Sequence, residues 1–234
     1  MKLSILIPIY NEEKTLEKIV KKINDLKSIN KEIILIDDFS NDGTHKILSK
    51  LKKKVKKIIY HKKNLGKGAA IKTGKKYITG DIVIIQDADL EYYPSDYYNL
   101  IKPIISGKSK VVYGSRVLGR KKNKKFSKYS SKLRIFANFI LTKVSNVVNN
   151  QNLTDAHTCY KVFDSHTFKK IKLVENDFAF CPEITSKISD LKIKITEVPI
   201  KYKGRSFQEG KKIKLRDAFF ALKALIIYGI LKLN

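Results

Sequence analysis

IVIIQDADLEYYP, residues 82–94, joins four aliphatic residues, through Gln86, to the carboxylates of Asp87 and Asp89. A short unbroken apolar run of this kind reads as a strand buried on both faces. Acids that follow it so closely stand just beyond the strand's carboxyl end. Similar junctions recur along the first 115 residues. The run 3–9 leads to Tyr10 and Glu12, and 33–36 leads to Asp37 and Asp38. The run 55–60 precedes Asn64 and Lys67, and 110–113 precedes Ser115 and Arg116. Helical periodicity fills the intervals: 12–26 with Asn11 as its cap, then a helix capped by Asp42 and ending at Leu51, then 66–77 and 95–105. This alternation predicts an α/β fold with a mostly parallel, doubly wound central sheet. Ligands of such sheets bind beyond the carboxyl ends of the strands, where these polar groups cluster.

The second half is less regular. KKNKK at 121–125 reads as a basic loop, and 126–148 contains a long helix. Segments 154–163, 178–188 and 193–200 read as strand, helix and strand. Residues 218–233 are apolar apart from Lys223 and Lys232. That stretch is too short and interrupted to span a bilayer, and either packs on the domain or lies in a membrane interface.

A chain of 234 residues with 43% hydrophobic content suits one domain, or two closely packed halves, with a real core. The opening MKLSILIPIY lacks a cleavage site and reads as a strand, not a signal peptide. Two cysteines, Cys159 and Cys181, give neither a disulfide framework nor zinc spacing, which suggests a reducing, cytoplasmic setting. The net charge of +27 either favours polyanions (nucleotide phosphates, anionic lipid or nucleic acid) or merely solvates a lysine-rich surface. Aromatics interleaved with bases are not evident, which disfavours nucleic acid. Lysine supplies all but five of the 49 basic residues, so each arginine is a candidate phosphate grip.

Asp87 and Asp89 offer oxygen ligands for Mg²⁺ or Mn²⁺, which binds through one or two carboxylates plus substrate phosphates. Glu91 is a third candidate ligand or a support for the pair. An acidic turn without a metal is the plainer alternative. Asp37 and Asp38 follow a buried strand and need partners; Ser40 and Asp42 also suit a helix-capping turn. NLGKGAAIKTG (64–74) lacks the third glycine of a dinucleotide fingerprint, and Lys76 stands where a phosphate-binding loop needs Ser or Thr. Its glycine-rich helix start with Lys67 can still approach a nucleotide. His45, His61, His157 and His166 are scattered and read as structural or surface groups.

SILIPIYNEEKTL, IILIDDFSNDGT, NLGKGAAIKTG, QDADLEYYP, YGSR, LTDAHTCYKVF and GRSFQEGKKIKLRDA occur in this order. Together they resemble the family 2 glycosyltransferases of the polyprenyl (dolichyl) phosphate mannose and glucose synthase type. The resemblance implies a single nucleotide-diphospho-sugar transferase domain (GT-A, Rossmann-like) over 1–234. Its parts would be a nucleotide-sugar half (1–115), an acceptor half (116–217) and an apolar C-terminal helix (218–234). It implies an inverting transfer of a hexose from a GDP-mannose or UDP-glucose type donor to a lipid phosphate. The enzyme would sit on the inner face of the cell membrane, against an anionic surface. A saccharide or other soluble acceptor is the alternative.

By the same resemblance, Pro8, Tyr10 and Glu12 line the base and ribose pocket, with Ile36 and Asp38 beside them. Asp87 and Asp89 hold metal and diphosphate, with Ala88 contributing backbone. Arg116, Arg205 and Lys211 touch donor or acceptor phosphates, and Arg134 meets the acceptor phosphate. Asp155 lies near the reacting centre. It is the candidate general base if the acceptor is an alcohol, and a substrate-orienting group if the acceptor is already an ionised phosphate. His157 stands where bacterial relatives often carry Glu, and Cys159-Tyr160 where some carry Ser-Gly.

Overall fold

The computed structural model describes residues 1–128, 132–205 and 215–233. In chain order the elements are β1 (Leu3–Ile9), α1 (Leu16–Asn24), β2 (Lys31–Asp37), α2 (Thr44–Leu51), β3 (Lys57–Tyr60) and α3 (Lys67–Lys75). There follow β4 (Ile82–Ile85), α4 (Tyr97–Ile105), β5 (Val111–Ser115), α5 (Arg116–Lys122), β6 (Ser127–Lys128) and α6 (Lys132–Asn149). The last are β7 (Lys161–Asp164), α7 (Ser165–Lys170), α8 (Phe180–Asp190), β8 (Thr196–Pro199), β9 (Tyr202–Lys203) and α9 (Leu215–Ala224). A π-helical segment, Leu225–Ile230, continues α9.

Seven strands form one sheet in the order β3-β2-β1-β4-β7-β5-β8. The pairs β2/β3, β1/β2, β1/β4 and β5/β8 are parallel, as the alternation predicts. The exception is β7, which runs antiparallel between β4 and β5. β6 and β9 form a separate parallel pair. Aliphatic side chains on both faces of β1, β2 and β4 are buried, which explains their unbroken apolar runs. Leu16, Ile19, Val20 and Ile23 recur at helical spacing on α1 and turn one stripe to the core.

Several boundaries differ from expectation. The first helix starts at Leu16, because residues 12–15 form a tight turn in which the amides of Thr15 and Leu16 both donate to the Glu12 carbonyl, at 3.2 and 2.9 Å. Asn11 is therefore no cap; it sits in the left-handed region (φ 52°), and its side chain accepts from the Asn41 amide. The strand expected over 154–163 begins only at Lys161. The buried Lys161 ammonium donates to the carbonyls of Ala156 and Thr158, at 2.8 and 2.9 Å, and holds that stretch as a turn. The basic 121–125 stretch is helical through Lys122, and α7, which no pattern announced, is capped by the Asp164 side chain on the Thr167 amide.

Candidate active site

At the carboxyl ends of β1, β2 and β4 the chain turns through Asn11, Phe39 and Leu90, with φ of 52°, 65° and 61°. None is glycine, and each left-handed conformation costs about 1–3 kcal/mol. Three such turns at one sheet edge bring the strand ends sharply around a common space. That space is a cavity of about 440 Å³, walled by Pro8, Tyr10, Glu12, Asp38, Lys67, Asp87, Ala88, Asp89, Glu91, Arg116 and Arg205 among others. Its size is that of a small-molecule site.

Carboxylates and cations alternate around the wall. Lys67, on the first turn of α3, forms an ion pair with Asp87. Burial disfavours the Lys67 ammonium, but Asp87 outweighs it and holds the group above its ordinary range. Arg205 follows β9 and reaches across the cleft. Its guanidinium meets Asp89 at 3.0 Å and Glu12 at 3.2 and 3.3 Å, and its amide donates to Glu91 at 2.7 Å. Burial is again overcome, by Asp89 first and then Glu12, so Arg205 is held above its usual value. One arginine thus ties the β1, β4 and β9 ends together.

Asp155 lies beneath this wall. It is fully buried and grips Arg116 with both oxygens, each at 2.7 Å, while accepting the Arg116 amide at 3.0 Å. Asn138 of α6 adds a bond at 3.2 Å. Burial alone would raise the Asp155 carboxyl; Arg116 and the hydrogen bonds more than reverse this and hold it below the ordinary carboxylate range. Glu197 in turn accepts the amides of Thr154 and Asp155 at 2.7 and 3.0 Å. Arg116, its guanidinium 5.1 Å from the Tyr202 ring centre, faces the cavity in place of Asp155. A buried, charge-paired acid of this kind is a poor proton acceptor.

The turn after Asp155 and the start of α8 add residues that sequence reasoning set aside. His157, Cys159 and Cys181 all line the cavity. Burial first, and Lys161 next, push the His157 imidazole down to about 4, so it is neutral at neutral pH. Its buried Nε2 has no hydrogen-bond partner among the described residues. Burial also raises the Cys159 thiol well above its usual value, which keeps it protonated and unreactive. The structural reading does fit His45, bonded to Asp37, and His61, held between Asp38 and Thr73.

Other expected residues divide. Pro8, Tyr10, Ala88 and Asp38 are in the wall, but the Asp38 carboxylate is turned to His61 and the amides of Leu65 and Gly66, shaping the 64–66 loop. Ile36 is not in the wall: it is fully buried in the core, where a Cβ on Gly74 would lie 2.7 Å from its Cδ1. Arg134 lies at the start of α6, outside the wall. Lys211 lies outside the described residues. Glu91 is 2% exposed and accepts from the Tyr202 hydroxyl at 2.9 Å as well as from Arg205, so it braces the β9 segment and is poorly placed as a third metal ligand. Among the described residues no three His, Cys, Asp or Glu side chains gather as a metal cluster. Asp87 and Asp89, 20% and 13% exposed, offer a two-carboxylate oxygen set. That set fits a hard cation that completes its shell with substrate phosphate oxygens.

Fold and site define an α/β enzyme that takes its ligand at the carboxyl ends of parallel strands. A family model described as glycosyl transferase family 2 matches residues 4–172. The chain is 30% identical over 237 residues to a UDP-N-acetylglucosamine–dolichyl-phosphate N-acetylglucosaminyltransferase of Methanococcus voltae, with 92% of each chain covered. It is 38% identical over 118 residues to a dolichol-phosphate mannosyltransferase of Pyrococcus furiosus, covering 50% of this chain and 33% of that one. A dolichyl-phosphate beta-glucosyltransferase of Trichomonas vaginalis is 28% identical over 229 residues, with 91% and 68% covered. In fold the chain resembles glucosyl-3-phosphoglycerate synthase of Mycobacterium tuberculosis, crystallised with Mn²⁺, UDP and glucosyl-3-phosphoglycerate. The TM-score is 0.72 at 16% identity, covering 97% of this chain and 80% of that one. The chain belongs to glycosyl transferase family 2.

Proposed function

We propose that this glycosyltransferase moves a hexose-class sugar, with inversion, from a nucleotide-diphospho-sugar to a polyprenyl phosphate at the inner face of the membrane. The observation that carries the reading is the meeting of Asp87 and Asp89 with Lys67, Arg116 and Arg205 around one cavity. The relatives' names supply the acceptor class, each being a dolichyl- or dolichol-phosphate transferase.

Asp87 and Asp89 would hold Mg²⁺ or Mn²⁺, which supplies positive charge to the departing nucleoside diphosphate. Lys67 and Arg205, now paired with the two acids, would exchange one anionic partner for another when a diphosphate binds. Tyr10, Pro8 and Glu12 form the side that receives base and ribose. Arg116, fixed by Asp155, presents its remaining donors to an acceptor phosphate. A phosphate monoester is already ionised near neutral pH and needs no base, which agrees with an Asp155 whose proton affinity is lowered. Neutral His157 offers a hydrogen bond to an uncharged sugar hydroxyl.

The test is a donor screen with Mn²⁺. GDP-mannose, UDP-glucose and UDP-N-acetylglucosamine are each incubated with polyprenyl phosphate, and separately with soluble sugars. One donor should yield an organic-extractable glycolipid. Transfer only to the soluble sugars would refute the lipid acceptor.

A further inference from the structure

Gln86 alone separates the apolar strand β4 from the Asp87–Asp89 pair, and it is fully buried. Its side-chain oxygen accepts from two phenols, Tyr97 at 2.7 Å and Tyr160 at 2.8 Å. Its side-chain nitrogen donates to the Asp87 carbonyl at 2.8 Å. Burial pushes both phenols well above their ordinary range, so both stay protonated and donate. Burying an amide is costly unless it is bonded in this way, and packing alone would be served by an aliphatic side chain. A bonded network in the interior instead fixes one geometry.

The two phenols tie Gln86 to different parts of the site. Tyr97 begins α4, the helix that follows the acidic turn. Tyr160 stands at the end of the Asp155–Cys159 turn, just before β7. In the antiparallel pair β4/β7, Ile84 lies opposite Val162, so two residues further out Gln86 faces Tyr160. There the two strands part, one into the Asp87–Asp89 turn and the other into the Asp155–Cys159 turn. A second bridge lies beside the first. The Cys159 amide donates to the Tyr92 hydroxyl at 3.0 Å, and the Tyr92 and Tyr160 rings pack with centres 4.8 Å apart. Neither Gln86 nor Tyr160 is in the cavity wall, whereas Asp87, Asp89 and the Arg116 that Asp155 grips are all part of it.

We propose that Gln86 and Tyr160 are positioning residues: touching no substrate, they hold the Asp87–Asp89 turn and the Asp155–Cys159 turn in register across the cavity. The naming of these turns as donor side and acceptor side rests on the lipid-phosphate reading; the register itself does not.

The test compares two substitutions that a merely structural role would not tell apart. Tyr97→Phe and Tyr160→Phe each remove one buried hydroxyl from the same acceptor oxygen, so their unfolding midpoints should fall alike. Only Tyr160→Phe cuts a bridge between the turns. Mn²⁺ binding to the full chain is measured by electron paramagnetic resonance, with UDP and separately with GDP. Tyr160→Phe and Gln86→Met should weaken it about tenfold, the scale of a lost support behind a metal ligand. Tyr97→Phe should bind Mn²⁺ like the wild type. Equal Mn²⁺ affinity in the two phenylalanine variants overturns the proposal.

Amide exchange without metal or nucleotide gives a second readout, which also serves if Gln86→Met misfolds. The Glu91 and Cys159 amides, one in each turn, bond to Asp89 and Tyr92. Both should exchange faster in Tyr160→Phe and neither in Tyr97→Phe. A rise confined to one turn, or the same rise in both variants, overturns the proposal. Neither readout uses an acceptor. Transfer only to soluble sugars would therefore sink the lipid-acceptor reading and leave the positioning roles standing.

Discussion

Asp155→Asn separates an orienting acid from a catalytic base. The substituted side chain would keep the shape and one acceptor oxygen, but it would set an amide against the Arg116 guanidinium at one of the two 2.7 Å contacts. The buried arginine would lose its counter-charge. Removing one partner of a buried ion pair costs about 3–5 kcal/mol, and the retained acceptor places this variant near 3. For a chain of this length each kcal/mol moves the melting temperature by about 2–4 °C, so a fall of about 6–12 °C is expected. Arg116 would no longer be fixed, and kcat/KM should drop by about 100-fold, the scale of a lost phosphate-facing donor.

The assay is a double-mutant cycle read in stability and in rate. Arg116→Met alone strands a buried carboxylate and should be as damaging as Asp155→Asn. The double variant buries no unpaired charge, and its stability should recover, with a coupling of about 2 kcal/mol or more. Coupling below about 0.5 kcal/mol would refute the positioning role. So would a variant of unchanged stability whose rate profile simply loses its acidic limb, which is the signature of a removed base.

Asp89→Ala should remove the dependence of turnover on Mn²⁺; a variant that still saturates with the metal and turns over normally would refute the carboxylate-pair assignment. His157→Gln should flatten part of the acid side of the stability curve. The folded imidazole titrates near 4 against 6.5 for the free side chain, so its contribution is full above 6.5 and is lost as pH falls toward 4. Urea unfolding at pH 7 and pH 5 should show the wild type losing about 1–2 kcal/mol more than the variant, and equal losses would refute it. Gly229→Val should force the C-terminal helix off Val148, releasing the buried Tyr228 and exposing residues 225–230 to faster amide exchange; wild-type protection there would count against the close packing.

The parallel part of the sheet was legible because burial on both faces leaves a plain mark: unbroken aliphatic runs ending in polar residues. Pro8, Tyr10, Glu12, Asp87 and Asp89 could be placed from that mark and from the resemblance together. Ile36 could not, since alternation along β2 puts it on the core side against Gly74, a contact 38 residues away in sequence. The role of Glu91 was equally hidden. A third acid beside an Asp pair looks like a ligand until β9, more than 100 residues later, supplies the Tyr202 hydroxyl and the Arg205 amide that occupy it.

The largest illegible element was the reversed strand. Because β7 runs antiparallel between β4 and β5, its amino end lies beside their carboxyl ends. The residues before Lys161 therefore enter the site from the opposite direction to those following β4 and β5. This is how the Asp155–Cys159 turn comes to stand against Asp87, Asp89 and Arg116, with Cys159 within 3.4 Å of the Lys67 ammonium. A search confined to groups just after strands would pass over it. The reversal also divides the chemistry physically. The forward strands deliver the half-buried carboxylates Asp87 and Asp89 to the cavity. The reversed strand delivers a buried acid that fixes Arg116 and a neutral imidazole that lines the same cavity.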